Sequence, residues 1–184
     1  GCCERMDEKL WEECIEFHGH SCPGLAIGYA ASFAAMERLG IPMERAKDEE
    51  IVCVSENDAC GVDCIQYLLS CTAGKGNLLF KRTGKGAYSF FSRKNGGRVR
   101  LVTEFPEDWE TLDRETLTRK ILESPPEMVF VFKEPGFDLP EMARIFESIR
   151  CDECGERARE DMIRLQEGKK VCLSCFKPYS RGIV

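Results

Sequence analysis

A chain of 184 residues, 43% hydrophobic and 32% charged, has the composition of an ordinary globular protein and enough apolar material for one good core plus a small appendage. Its net charge of −6 argues against a general nucleic-acid surface, which needs a clustered positive face, although a local basic patch would still fit. No apolar run approaches the roughly 20 residues that span a bilayer, and the opening stretch "GCCERMDEKLWEE" is too acidic for a signal peptide. The predicted elements begin with a helix over residues 7–17, where Leu10, Cys14 and Phe17 recur at helical spacing behind an Asp7 cap. Gly19 breaks it. Pro23 then suits the first turn of a second helix, residues 24–39, which Gly40 ends. Ala26, Gly28, Ala30, Ala31, Ala34 and Ala35 make this second helix a small-residue surface. It is read as a buried core helix, with a tight dimer contact as the alternative.

The segment "EIVCVSE" (50–56) reads as a buried strand by its β-branched content. Residues 61–71 look helical. From residue 77 the chain alternates like strands, with turn signals at Gly84–Gly86 and Asn95–Gly97. An amphipathic helix over 112–124 capped by Asp113, a strand over 127–134 and a helix over 138–149 complete the first part. The order predicts an α+β fold, a mixed or antiparallel sheet packed with helices, over residues 1–150. A boundary falls near Arg150, and a small treble-clef-like finger occupies 151–184.

Twelve cysteines are many for this length. In a short secreted chain they would suggest a disulfide framework. Without a secretion signal, and with thiols clustered at short spacings, a reducing cytoplasm with cysteines serving metals or redox chemistry is the better reading. The clearest cluster is C-x2-C-x17-C-x2-C, made by Cys151, Cys154, Cys172 and Cys175. Four thiolates give the closed tetrahedral zinc of a structural site. A module this short cannot bury enough apolar surface alone, so the metal supplies its folding energy. Iron, or two disulfides, would fit the same four residues. Its basic and acidic residues nearly balance, which favours a scaffold that docks on protein over one that reads nucleic acid.

A second constellation lies near the N-terminus. The chain has two histidines, His18 and His20, and both stand beside Cys22 in "EFHGHSCPG". If residues 60–71 form one helix, Cys60, Cys64 and Cys71 fall within roughly 40° of one another at 100° per residue. Cys64 also reads as a small buried hydrophobe. Cys22 and Cys60 both precede helix starts, where the helix N-terminus lowers a thiol pKa. Facing each other with one or two imidazoles, they would make a His/Cys site for zinc or iron. Cys71 is the further thiol ligand candidate, and Lys75 in "AGKGN" would supply one positive charge near an anionic group.

Taken together, "FHGHSCPGLAIGYA", "SENDACGVDCIQYLLSCTAGKGNLLFKRTGKGAYSFF" and the four-cysteine finger resemble the FmdE family, the E component of formylmethanofuran dehydrogenase, along the whole chain. The family pattern falls on His18, His20, Cys22, Gly24, Asn57, Cys60, Asp63, Cys71, Gly74, Lys75 and Gly76; Cys64 stands where that pattern usually has a small residue. The resemblance implies an α+β domain followed by a zinc finger, a homodimer, and association with molybdenum or tungsten enzymes that reduce carbon dioxide in anaerobes. Under it, Asn57, Asp63 and Lys75 are cofactor-binding candidates. The first expectation is thus a cytoplasmic metal-binding protein, an accessory factor or a component of such a complex. The alternative is an enzyme in its own right, with Cys22 or Cys60 as nucleophile or open-site ligand, His18 as base and Lys75 as anion partner. A regulator that reads nucleic acid through the finger fits the acidic chain least.

Overall fold

Ile51–Ser55 forms β1, a strand buried along its whole length. Its side chains divide with the period of two that a pleated strand imposes. Ile51 and Cys53 join the main core, while Val52 and Val54 pack on the other face with Phe91, Leu79, Phe137 and Leu139. Around it stand β2 (Leu78–Phe80), β3 (Ala87–Ser92), β4 (Arg98–Thr103) and β5 (Phe130–Lys133). The sheet order is β2-β1-β3-β4-β5, with β1–β2 parallel and every other pair antiparallel. The mixed sheet and its helices make the fold α+β. The structure, a computed structural model, describes residues 6–182. The first five residues of the stretch read against a signal peptide therefore lie outside the described residues, Cys2 and Cys3 among them.

Helices cover one face of this sheet. They are α1 (Glu8–His18), α2 (Pro23–Leu39), α3 (Gly61–Leu69), α4 (Arg114–Glu123) and a single turn, α5 (Pro126–Val129). Local chemistry sets their ends. The Asp7 side chain accepts the N–H of Leu10, Asp113 accepts that of Thr116, and Gly40 closes α2 at φ 69°. Residues 127–134, read as one strand, split into α5 and β5, because Pro126 starts a helical turn before Phe130 enters the sheet. α2 lies at the centre, packed on α1, α3 and α4 and on β3 and β4. The close approach of its small residues is made within the chain: a Cβ built on Gly28 would stand 2.0 Å from the carbonyl oxygen of Gly61. No side chain fits at position 28, where α2 meets the start of α3.

The helix expected over 138–149 is absent. Buried Glu49 accepts the N–H of Ala143 on both carboxylate oxygens at 3.2 Å, and the Pro140 carbonyl accepts from Arg93 Nη2 at 2.7 Å. Those backbone groups meet partners across the fold in place of a helix ladder. On the sheet, Glu56 and Arg100 form a nearly buried bidentate pair at 2.7 and 3.2 Å.

The chain divides into two compact units, Gly1–Ala143 and Arg144–Val184. Arg150, where the sequence suggested a boundary, ends β6 (Ser148–Arg150) inside the second unit. β6 pairs with β7 (Arg157–Arg159), and β8 (Ile163–Gln166) pairs with β9 (Lys169–Cys172). Its buried apolar residues are Cys151, Val171 and Cys172, with Ala158, Ile163, Cys175 and Phe176 packed around them. Two of those three buried side chains are thiols, so little hydrophobic burial holds this unit together. Among the described residues no helix is long and apolar enough to cross a membrane.

Candidate metal centres

The first centre is built from two helix starts and one helix end. α1 stops at His18, and Gly19 at φ 111° turns the chain so that the rings of His18 and His20 lie 4.6 Å apart. Cys22 caps α2, its sulfur accepting the N–H of Leu25 at 3.3 Å ahead of Pro23. Cys60 immediately precedes α3. The two starts meet because glycine leaves room: a Cβ on Gly24 would sit 3.2 Å from the Cβ of Cys60. One ligand atom from each of His18, His20, Cys22 and Cys60 lies within 4.8 Å of all the others. Bonds of 2.0–2.3 Å to tetrahedral zinc require roughly 3.3–3.8 Å between ligand atoms, a modest contraction from this arrangement.

His18 is already oriented. Its Nδ1 is 2.7 Å from Asp63 Oδ2, and its buried Nε2 has no hydrogen-bond partner. A carboxylate fixing one imidazole nitrogen while the other meets a metal is the usual support of a histidine ligand. Asp63, a cofactor-binding candidate through the family pattern, is thus placed behind His18. Burial and the adjoining Cys22 thiol push the Cys60 thiol up, opposite to the lowering expected from a helix start. Both effects disfavour a lone thiolate, and a metal cation reverses them.

Two expected residues, Cys71 and Lys75, stand elsewhere. Cys71 is not in this group, because Ser70 adopts the left-handed conformation at φ 55° and ends α3 at Leu69. The helical periodicity that aligned Cys71 with Cys60 stops there. Cys71 is buried near Cys53, its sulfur 3.7 Å from the Ile51 carbonyl, and burial pushes its thiol up to about 12. Lys75 donates to the Ser70 carbonyl and hydroxyl and to the Thr72 hydroxyl at 2.7–3.3 Å. It therefore staples the turn beyond the C-terminus of α3, while Cys60 lies at the opposite end of that helix. Asn57 shapes the approach to Cys60: its side chain accepts from Ala59 N–H and donates to the Lys85 carbonyl. Cys64 is a fully buried free thiol beside Cys14, a neighbour with no signature in the sequence.

An open cleft of about 460 Å³ borders the Cys22 loop, lined by Ser21, Pro23, Trp11 and Arg114 among others. Cys22 itself is not among the residues that line this cleft, and neither is Cys60.

The second centre is self-contained. Cys151, Cys154, Cys172 and Cys175 bring their sulfurs within 4.8 Å of one another. The amides of Cys154 and Cys172 lower the Cys151 thiol to about 6; the Cys172 N–H lies 3.3 Å from its sulfur. Gly155, at φ 79°, allows the sharp return of the first pair. The second pair closes a single turn, with the N–H groups of Cys175 and Phe176 donating to the Cys172 carbonyl. Lys170 N–H donates to Asp152 Oδ2 at 2.8 Å, tying the first knuckle to β9.

Comparison with known proteins agrees with this organisation. Residues 17–133 match the family described as FmdE, molybdenum formylmethanofuran dehydrogenase operon, and residues 144–181 match the prokaryotic dksA/traR C4-type zinc finger. A "Probable S-adenosyl-L-methionine-binding protein" of Archaeoglobus fulgidus is 31% identical over 205 residues, covering 92% of this chain and 54% of the relative. The chain thus spans about half the length of that curated relative. The crystal structure of an FmdE-like protein of tungsten formylmethanofuran dehydrogenase from Syntrophus aciditrophicus is similar with a TM-score of 0.69 at 24% identity, covering 91% of this chain and 90% of that one. At that identity the likeness speaks for the fold. With the family match extending over more than half of its length, the chain belongs to the FmdE family.

Proposed function

We propose that this FmdE-family chain is a metal-binding accessory protein whose N-terminal centre holds zinc or iron through His18, His20, Cys22 and Cys60, while the C-terminal finger holds a structural zinc. One observation carries the reading: His18 presents a buried, unpartnered Nε2 while Asp63 fixes Nδ1. A buried polar atom without a partner is costly and rare, and a cation between the imidazole and two thiolates supplies the partner. Zinc held there would supply Lewis acidity toward an incoming donor.

The names attached to the family and to the Syntrophus protein refer to molybdenum and tungsten formylmethanofuran dehydrogenases. They support a place beside such an enzyme in one-carbon metabolism of anaerobes; the reducing cytoplasm rests on the clustered cysteines, and the homodimer on the family resemblance and the small-residue α2. The enzyme reading has less behind it. Cys60 is held up as a thiol, Lys75 serves a distant turn, and neither Cys22 nor Cys60 lines the cleft beside the Cys22 loop.

Metal content of the full chain purified without oxygen tests the proposal. The expected result is two metal ions per chain, falling to one in His18→Ala. A wild-type content of one, unchanged in His18→Ala, overturns the N-terminal centre.

A further inference from the structure

The four ligands of the N-terminal centre are not equivalent. His18 has a side chain only 11% exposed and is fixed by Asp63. Cys22 is 3% exposed and its sulfur accepts a backbone N–H. Cys60 is half-buried against Gly24 at the helix crossing. His20 alone is exposed. Among the described residues no hydrogen bond holds either of its ring nitrogens, and its ring contact is with His18. It follows Gly19, whose left-handed backbone has nothing within 4 Å of where a Cβ would be. Firmly held histidine ligands have a partner on the second nitrogen; His20 has none.

Resting on the metal reading above, we infer that His20 is the exchangeable ligand of this centre. His18, Cys22 and Cys60 retain the metal. His20 swings into solvent and vacates one position, which a small monodentate donor such as an imidazole, a thiolate or cyanide occupies. Two thiolates neutralise a divalent cation, so the vacated position accepts a neutral or singly negative donor without leaving a large uncompensated charge. Three protein ligands with one exchangeable position is the pattern of reactive metal sites, whereas four fixed ligands is that of structural ones. The opening faces solvent because the departing side chain is the exposed one.

Cobalt substitution tests this on the full chain. Subtracting the spectrum of a Cys22→Ser/Cys60→Ser double variant, which keeps the finger's four thiols, isolates the N-terminal centre. His20→Ala is expected to retain a cobalt band, with affinity reduced no further than the roughly 10–100-fold typical of losing a supporting contact. Added imidazole should move that band back toward the wild-type position. His18→Ala should lose the band. A His20→Ala variant that empties as completely as His18→Ala, or whose band imidazole does not move, overturns the exchange inference alone. Absence of any wild-type difference band overturns the metal reading itself, and this inference with it. Circular dichroism of each variant monitors the fold.

Discussion

The two candidate metal centres use four ligands each and stand in opposite relations to their folds. The finger gathers Cys151, Cys154, Cys172 and Cys175 around a core in which, among the described residues, Val171 is the one buried residue that is not a thiol. Its ligands are most of what it has to bury, so the metal makes the fold. In the first unit, Cys22 and Cys60 are brought together by a core that includes Trp11, Tyr29, Phe90 and Leu101 and by glycines at the α2–α3 crossing. There the fold makes the site. The difference also explains the ligand types. A module without a core needs four strong anchors, whereas a supported site has room for an oriented His18 and a loosely held His20.

The largest expected effect follows directly. Cys172→Ser removes one anchor of a module which, with the proposed zinc bound, would draw roughly 10–16 kcal/mol of folding energy from the metal. Residues 144–184 should unfold in this variant, and the second unit should become protease-sensitive while the first keeps a cooperative thermal transition. Next comes the crossing of α2 and α3. Gly28→Ala improves helix propensity by about 1 kcal/mol, but its methyl would meet a backbone oxygen at 2.0 Å. Overpacking of this kind costs about 1–3 kcal/mol or more, and no rotamer change relieves it. The variant should show a lowered denaturation midpoint and weakened N-terminal metal binding. Gly74→Ala is the control, because nothing lies within 4 Å of its new methyl; its midpoint should barely move.

Smaller effects sharpen the comparison at the ligands. Asp63→Asn should weaken metal binding at the first centre by roughly 10–100-fold, about 1.4–2.7 kcal/mol, and leave the finger unaffected. Competition with a chromophoric chelator measures both sites. The pH dependence has a definite sign. The Cys60 thiol is held above its ordinary range by burial and by Cys22, so it keeps its proton to higher pH. Metal must displace that proton. Affinity at the first centre should therefore fall as pH is lowered below the thiol range, by roughly tenfold per pH unit for each thiol proton displaced. A pH-independent affinity between about pH 6 and 8 would contradict thiolate ligation.

What could be read from the sequence follows the range of the forces involved. The caps Asp7, Gly40 and Asp113 act over three or four residues and stand out locally. The strand Ile51–Ser55 and the spacing of the four finger cysteines are equally local signals. Periodicity misled at Cys71, because it assumes a helix that continues, and Ser70 leaves it. The helix expected over 138–149 failed because Glu49 and Arg93, far away in sequence, take backbone groups from that segment. The pairing of Asp63 with His18 spans 45 residues and has no local signature. Gly24 and Gly28, four residues apart, do announce a close approach on one helix face; only the fold shows that Gly61 and Cys60 are what approaches.

Hydrogen exchange on the full chain, before and after both metals are stripped by a chelator, most directly tests the claim that metal makes one fold and fold makes the other site. The account predicts that backbone amides of β8 and β9 lose protection while those of β1, β3 and α2 keep theirs. Loss of protection in β1, β3 and α2 together with the finger, or its retention throughout, would contradict it.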